Sequence, residues 1–151
     1  MKENNLNEIE IRKMEMEDIS GAYEVEVESF KSPWSRKSLE EDLQNENISR
    51  YLVAEKDGEI IGYIGSWKVL DEGQITNVAV KKRMRGQGIG ELLMRNMIEV
   101  LEEAGTRSIV LEVRVGNDAA LKLYEKFGFK IAGKRPKYYS DNGEDAFIMI
   151  R

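Results

Sequence analysis

Apolar and polar residues recur with different periods along the chain, and each period predicts a different element. Ile9 to Lys13 alternates every second residue, which is typical of a short strand. From about Asp18 to Phe30 apolar residues recur at steps of three and four, which predicts a helix. Its apolar positions are Ile19, Ala22, Tyr23, Val27 and Phe30. This helix should end before Pro33, because the residue ahead of a proline avoids helical geometry. Ser35 can then cap a second helix that runs to about Gln44.

Three strands follow in hairpin order. Tyr51 to Lys56 is the first, and Asp57-Gly58 is a strong hairpin turn into Ile60 to Val69. We expect Asp71, Glu72 and Gly73 to form the next turn and Gln74 to Val80 to form the third strand. The run predicts antiparallel pairing of all three strands.

The longest helical pattern begins near Ile89 and ends at Gly105. Its apolar face comprises Ile89, Leu92, Leu93, Met97, Val100, Leu101 and Ala104. Ser108 to Val113 is a nearly continuous apolar strand, interrupted only by Glu112. A helix that connects two such strands implies that they are parallel, with a right-handed crossover.

The C-terminal part adds one helix and two strands. Asn117 is a plausible N-cap for a helix through Phe127, which Gly128 closes. Phe129 to Ala132 and Ala146 to Ile150 are the last predicted strands. The order βααβββαβαββ predicts an α+β fold, a mixed and mostly antiparallel sheet flanked by helices. We expect residues 9–151 to form a single domain and residues 1–8 to be a flexible lead-in.

Composition narrows the chemistry. The 151 residues include no cysteine and no histidine, which excludes disulfides, a thiolate nucleophile, a Ser-His-Asp triad and the usual zinc ligands. Acid–base catalysis must then use carboxylates, tyrosines, lysines or water. The net charge of −5 argues against general nucleic-acid binding and favours a cationic partner. With no signal peptide and no apolar run long enough to cross a membrane, we expect a cytoplasmic protein.

The stretch between the third hairpin strand and the long helix is rich in glycine. Gly86, Gly88 and Gly90 let the backbone approach a ligand, and the first helical turn offers free N–H donors, a combination that suits phosphate. Lys81, Lys82, Arg83 and Arg85 precede it. A tight strand-to-helix connection would use glycines in the same way. The Walker loop does not fit, because Glu91 stands in place of its lysine, and the spacing differs from the dinucleotide fingerprint.

Three polar residues farther along also allow more than one interpretation. Glu112 lies on a central strand, on the face opposite Ile109, Leu111 and Val113, so it is either paired with a cation such as Arg114 or acts as a base. Helix capping explains Asn117, and core packing explains Tyr124.

Several spaced motifs together resemble one family. Arg85-Gly86-Gln87-Gly88-Ile89-Gly90 resembles the Arg/Gln-x-x-Gly-x-Gly/Ala signature of the GNAT N-acetyltransferases. The RimI branch, the ribosomal-protein-alanine N-acetyltransferases, is matched by further motifs across the chain from Ile9 to Arg151. These are Pro33-Trp34-Ser35, Asn77-Val78-Ala79-Val80, Leu111-Glu112-Val113-Arg114, Asn117, Ala120, Leu123-Tyr124, Gly128-Phe129, Arg135-x-x-Tyr138-Tyr139 and Glu144-Asp145-Ala146. One departure is Gly116, where the family usually has serine, and this glycine is expected to loosen the turn or remove a hydrogen bond.

The resemblance implies a reaction and a set of roles. Acetyl would pass directly from acetyl-CoA to the N-terminal α-amino group of a basic ribosomal protein, with no metal, no nucleic acid and no membrane involved, in a monomer or weak dimer. Glu112 would be the general base and Tyr124 the general acid. The cofactor-binding residues would be Val78, Ala79, Val80, Arg85, Gly86, Gln87, Gly88, Ile89, Gly90, Glu91 and Asn117, and the acceptor-binding residues Trp34, Tyr138 and Tyr139.

Alternatives stay open at this point. Other protein N-termini or a small amine such as a polyamine could be the acceptor. A domain that binds acyl-CoA without turnover is a second class, although the presence of Glu112 and Tyr124 argues against it.

Overall fold

One mixed sheet of seven strands organises the chain, and the computed structural model describes residues 8–151. The strands are β1 (Glu10–Lys13), β2 (Ser49–Lys56), β3 (Glu59–Val69), β4 (Glu72–Val80), β5 (Ser108–Arg114), β6 (Lys130–Arg135) and β7 (Ala146–Ile150). The helices are α1 (Ile19–Ser29), α2 (Arg36–Gln44), α3 (Ile89–Glu103) and α4 (Asp118–Lys126), with short 3-10 turns at Met16–Asp18 and Lys82–Met84. Except for its last residue, the expected lead-in of residues 1–8 lies outside the described range.

The predicted α+β fold and element order are confirmed. The strands lie in the order β1-β2-β3-β4-β5-β7-β6, and every neighbouring pair is antiparallel except β4 and β5. Those two strands are joined by the crossover helix α3, as the sequence predicted. Ser35 caps α2 by accepting a hydrogen bond from the N–H of Ser38 at 3.0 Å.

Three predicted boundaries are wrong by two residues or more. β2 already begins at Ser49, two residues before the predicted Tyr51. The turn between β3 and β4 consists of Leu70 and Asp71, with Leu70 in the left-handed region at φ 56°, so Glu72 already belongs to β4. Composition alone favoured Gly73 as the turn residue. β6 continues past Ala132 to Arg135, because its ladder with β7 resumes after a register shift. The polar residues of this edge strand concealed that continuation.

The apolar face predicted for α1 is also partly wrong. Val27 is 47% exposed, whereas Val25 and Glu26 are buried, with Glu26 only 1% exposed. The buried stripe is Ile19, Ala22, Val25 and Glu26. The carboxylate of Glu26 occupies a position where the helical period calls for an apolar residue. The spacing of apolar residues therefore predicted a buried face that is shifted around the helix from the observed one.

The two faces of the sheet carry separate cores. Helix α3 packs on one face through Ile89, Leu93 and Met97, in a cluster that includes Leu111 of β5. Helices α1 and α2 pack on the other face, in a cluster that includes Tyr63 of β3. No helix within residues 8–151 is long and apolar enough to cross a membrane.

β4 and β5 pair over only part of their length. The ladder joins Glu72–Gln74 to Ser108–Val110, and beyond that point the strands part. The register of β3 against β4 shifts between Gly65 and Ser66, which leaves Thr76 as an extra residue in β4. The parting of the strands leaves a gap at the centre of the sheet.

Candidate active site

A cleft of about 430 Å³ occupies this gap. Its walls come from β4 and β5, the loop between α1 and α2, helix α4 and the loop between β6 and β7. Among the predicted site residues, its lining includes Trp34, Val78, Glu112, Asn117, Tyr124, Tyr138 and Tyr139. The predicted catalytic and acceptor-binding residues are thus brought together with part of the cofactor set. The residues at 79–80 and 85–91 are not among those lining the cleft.

The backbone of β4 directs hydrogen-bonding groups into the cleft. The N–H of Lys81 donates to β3 at 2.8 Å, and backbone groups alternate sides along a strand. Those of Ala79 therefore face β3, while those of Val78 and Val80 face the side from which β5 has parted. The carbonyl of Val80 accepts from Nε of Arg85 at 2.9 Å. The N–H of Val78 is left directed into the cleft.

Glu112 lies in the cleft and is held from the β6–β7 side. Its carboxylate forms an ion pair with Arg135 and accepts a hydrogen bond from the hydroxyl of Tyr138 at 2.9 Å. Arg114, the partner suggested by the sequence, instead pairs with Asp141 at 2.7 Å. The carboxylate is therefore paired with a cation, as one of the two interpretations of the sequence expected, and it also lines the cleft.

The two tyrosines of the β6–β7 loop form one wall. Their rings lie edge to face with centroids 5.0 Å apart, and the guanidinium of Arg114 lies 3.9 Å from the ring centroid of Tyr139. Burial raises the pKa of Tyr139 to about 12, and burial followed by the hydrogen bond to Glu112 raises the pKa of Tyr138. Both phenols are therefore neutral donors at ordinary pH.

The turn into α4 is held at both of its ends. Asn117 caps the helix by accepting from the N–H of Ala120 at 3.1 Å, and it also lines the cleft. The N–H of Gly116 donates to Glu144 at 2.8 Å, and this bond lowers the pKa of that carboxyl group. A Cβ at Gly116 would lie 2.8 Å from the same carboxylate. The glycine that was expected to loosen the turn is fixed by Glu144.

Tyr124 approaches the cleft from α4. Its ring packs edge-on against Phe129 with centroids 6.1 Å apart, in the cluster that contains α3. Burial, with a smaller contribution from Tyr139, raises the pKa of Tyr124 to about 12. The phenol therefore carries its proton across the physiological range.

The most deeply buried charged residue of the cleft was not identified from the sequence. Glu26 of α1 accepts hydrogen bonds from the N–H of Trp34 at 2.8 Å, from the hydroxyl of Tyr63, and from Nδ2 of Asn77 at 3.5 Å. The signal was its spacing, since Ile19, Ala22 and Glu26 are separated by three and four residues along one helical face. A carboxylate among apolar residues would be a second signal, but the neighbouring acidic residues in the sequence conceal it.

The glycine loop at the start of α3 has the geometry of an anion site. Gly86 and Gly88 have φ values of 79° and 85°, which few other residues adopt readily. No side chain caps α3, so the N–H groups of residues 89–91 have no partner within the helix. No atom lies within 4 Å of a Cβ built on Gly86. Backbone donors and open space therefore coincide, as a pyrophosphate requires.

Four side-chain cations beside this loop are engaged by carboxylates, whereas Arg85 bonds to the carbonyl of Val80 and to Ser29. Glu59 pairs with Lys81 at 3.1 Å and with Arg83. Glu91 pairs with Arg95 at 2.9 Å and with Lys126 at 2.7 Å, which ties α3 to α4 and lowers the pKa of Glu91. Anion binding at this loop would therefore depend on the backbone N–H groups and on Arg85, which no carboxylate pairs with among the described residues.

The proton-carrying groups stand on opposite faces of the sheet. Leu111 and Val113 point into the α3 cluster, so Glu112 between them points to the face of α1 and α2. Tyr124 belongs to the α3 face. A group entering the gap from α3 would thus meet a phenol, and a group entering from the opposite face would meet carboxylates. This arrangement suits the transfer of a group between two ligands that enter from opposite sides.

Comparisons with known proteins point in the same direction. The family model of the acetyltransferase (GNAT) family matches residues 19–129. A putative [ribosomal protein bS18]-alanine N-acetyltransferase of Bacillus subtilis is 49% identical over 139 residues, which cover 92% of each chain. The [ribosomal protein bS18]-alanine N-acetyltransferase of Escherichia coli K12 is 36% identical over 92% of this chain and 94% of the relative.

Solved structures share the fold. The crystal structure of the ribosomal-protein-S18-alanine N-acetyltransferase from Escherichia coli superposes with a TM-score of 0.87 at 33% identity, covering 94% of this chain and 92% of the other. The PaiA N-acetyltransferase from Thermoplasma acidophilum, solved in complex with coenzyme A, has a TM-score of 0.80 at 23% identity, covering 95% and 98%, and shows the fold alone. On the family match and the close relatives together, this chain belongs to the GNAT family of acetyltransferases.

Proposed function

We propose that this enzyme transfers an acetyl group from acetyl-CoA to the α-amino group of the N-terminal alanine of a small-subunit ribosomal protein. The observation that carries the proposal is the cleft between β4 and β5, with Glu112 on one face and Tyr124 on the other. The names of the relatives at 49% and 36% identity support the acceptor class. Residues 9–151 would form the single acetyltransferase domain, acting in the cytoplasm as a monomer or weak dimer.

The donor fits the α3 side of the cleft. The backbone N–H groups from Arg85 to Glu91 would bind its pyrophosphate, because glycine geometry and a helix N-terminus favour an anion there. Val78, Ala79 and Val80 would flank the acetyl and pantetheine arm. The N–H of Val78, directed into the gap, would donate to the carbonyl oxygen as negative charge develops on it. Asn117 would contact the donor while it caps α4.

The acceptor fits the opposite side. Trp34, Tyr138 and Tyr139 line the cleft and would contact the peptide. An acidic chain of net charge −5 also attracts a basic N-terminal segment. The acceptor must lose a proton before it can attack. An α-amino group has a pKa of about 7.7 to 8.0, against about 10.4 for lysine, so deprotonation is easier by roughly 3 to 4 kcal/mol.

The proposed proton transfers use one side chain on each face of the sheet. Glu112, directly or through water, would take the proton from the α-ammonium group, and the amine would attack the thioester carbonyl in a ternary complex. As the carbon–sulfur bond breaks, Tyr124 would give its proton to the leaving sulfur. The new amide nitrogen would give up its second proton and restore the phenol of Tyr124, and the proton on Glu112 would pass to solvent. The products are the acetylated N-terminus, the free thiol and one proton. The chain has no cysteine, so an acyl-cysteine enzyme plays no part.

The test compares acceptors and variants. Acetyl transfer should be faster to a short peptide that begins with alanine and a basic residue than to spermidine, and mass spectrometry should locate the acetyl group on the α-nitrogen. Glu112→Gln should reduce turnover about 100-fold or more while coenzyme binding persists. Faster transfer to spermidine would contradict the acceptor class, and near-wild-type turnover of Glu112→Gln and Tyr124→Phe would contradict the assigned roles.

The cellular acceptor can be identified separately. Mass spectrometry of ribosomal proteins from cells with and without this gene should show a difference of one acetyl group on one small-subunit protein. Unchanged ribosomal proteins would contradict the proposed substrate.

A further inference from the structure

Glu26 is a buried carboxylate in the cleft that the proposed mechanism does not use. It is 1% exposed, and it lines the cleft on the face of α1. Its hydrogen-bond partners among residues 8–151 are Trp34, Tyr63 and Asn77, all of them neutral donors. A buried carboxylate is normally paired with a cation, because burying an isolated charge is costly. The position is therefore suited to a cation that arrives with a ligand.

Asn77 supplies a second unused acceptor at the same place. It is 7% exposed, and while its Nδ2 donates to Glu26, its Oδ1 has no hydrogen-bond partner. Buried polar atoms without partners are rare in folded proteins. Asn77 lines the same cleft. An incoming donor would satisfy this atom and the carboxylate together.

The bulge in β4 explains why these groups converge. Without it, successive side chains of the strand would point to opposite faces of the sheet. With the extra residue, Thr76 lies near the Tyr51 side and Asn77 reaches Glu26, so both face α1 and α2. The following residue, Val78, packs towards the α3 cluster. Asn77 is thus directly next to the residue whose N–H would donate a hydrogen bond to the acetyl oxygen.

We propose that Glu26 and Asn77 form the subsite that receives the α-ammonium group of the acceptor before transfer, an inference that rests on the proposed function. An ammonium group has three donors and one positive charge, and these side chains offer a carboxylate and an unpartnered carbonyl oxygen. Glu112 lies on the same face of the sheet and would then take the proton. Glu26 is a positioning residue that selects a charged nitrogen, and no bond forms or breaks on it.

The experiment separates charge recognition from structure. Calorimetry with enzyme saturated with coenzyme A, which has no acetyl group to transfer, measures binding of two peptides. One begins with alanine, and the other begins with a lactyl group, in which a hydroxyl replaces the amino group. We expect wild type to prefer the alanyl peptide. Glu26→Gln should weaken binding of the alanyl peptide about 10- to 100-fold, which is the range for a hydrogen bond to a charged group. It should weaken binding of the lactyl peptide less than about 3-fold.

Asp42→Asn is the matched control. Asp42 is also a carboxylate that accepts a hydrogen bond from a tyrosine, Tyr51, and two more bonds from neutral donors, Ser49 and Trp67, but it does not line the cleft. Its change should leave the affinities of both peptides as in wild type. If Glu26→Gln does not fold, Asn77→Ala tests the same proposed contact with the ammonium group. It should weaken binding of the alanyl peptide only.

Four results would overturn the subsite. Glu26→Gln could weaken both peptides equally, which would indicate a role in shaping the cleft, or it could weaken neither. Equal wild-type affinity for the two peptides would overturn the subsite and leave the proposed function standing. Absence of acetyl transfer to the alanyl peptide would overturn both.

Discussion

Tyr124→Phe tests the division of proton-carrying groups between the two faces of the sheet. The ring packs edge-on against Phe129, and phenylalanine keeps that contact, so we expect the free energy of unfolding to change by less than about 1 kcal/mol. Turnover should fall, because the leaving sulfur would lose the proton donor that we propose for it. A positioned acid typically contributes about 100- to 10,000-fold, which corresponds to roughly 3 to 5 kcal/mol of activation free energy.

The assay benefits from the composition of the chain. Because the protein contains no cysteine, a thiol reagent detects only the coenzyme A released during turnover. Burial raises the pKa of Tyr124 to about 12, so the phenol stays protonated below about pH 11 and should cause no alkaline fall in kcat below that pH. Tyr23→Phe is a control, since Tyr23 lies on α1, packs against the core on that face and does not line the cleft.

Two results would refute the reasoning. Turnover of Tyr124→Phe within about threefold of wild type, with coenzyme binding intact, would show that another group protonates the sulfur. A melting temperature lowered far beyond that of Tyr23→Phe would show that the hydroxyl has a structural role and that the loss of activity cannot be read as catalysis.

Three further predictions concern the scaffold. Gly88→Ala should lower the free energy of unfolding by about 1 to 2 kcal/mol, because alanine is strained at φ 85°. The same change should weaken the binding of coenzyme A, measured by calorimetry, and an unchanged affinity would contradict the proposed role of the loop. Leu93→Ala, at a fully buried position, should lower the free energy of unfolding, measured with urea, by about 2 to 5 kcal/mol. Leu70→Ala, at an 85% exposed position, should change it by less than about 0.5 kcal/mol. Equal effects would contradict the assigned core. Stability should fall as pH rises above about 10, because tyrosines lose their protons there in the unfolded chain, whereas burial raises the pKa of Tyr63 and Tyr124 in the folded protein. Urea titrations at pH 9, 10 and 11 measure this, and constant stability would contradict the prediction.

The sequence predicted the element order and the parallel crossover because those features depend on local periods. It could not predict where β4 and β5 part. That point depends on the register of residues far apart in sequence, Gln74 and Val110, and on a bulge that leaves no local signature at Thr76. The cleft is a product of tertiary geometry, and the sequence identified seven of the 21 residues that line it.

Long-range pairing also explains the errors at individual residues. Arg114, two positions along the same strand, was named along with any other cation as a candidate partner of Glu112, and the cation in the structure is Arg135 on β6. Glu26 was overlooked because its partners Tyr63 and Asn77 lie 37 and 51 positions away in sequence. Hydrogen bonds across such distances are decided by the packed sheet, and a single sequence shows only the donor and acceptor types.

The unpaired edge of β4 also gives this protein an internal reporter. Backbone amides in a central strand normally exchange with solvent deuterium very slowly, because neighbouring strands hold them on both sides. The amide of Val78 lacks that protection, while the amide of Lys81 is held by β3. Hydrogen exchange at Val78 should therefore be fast in the free enzyme and slow once a ligand fills the gap. Occupancy of the cleft can thus be followed at a single backbone position without any chemical label.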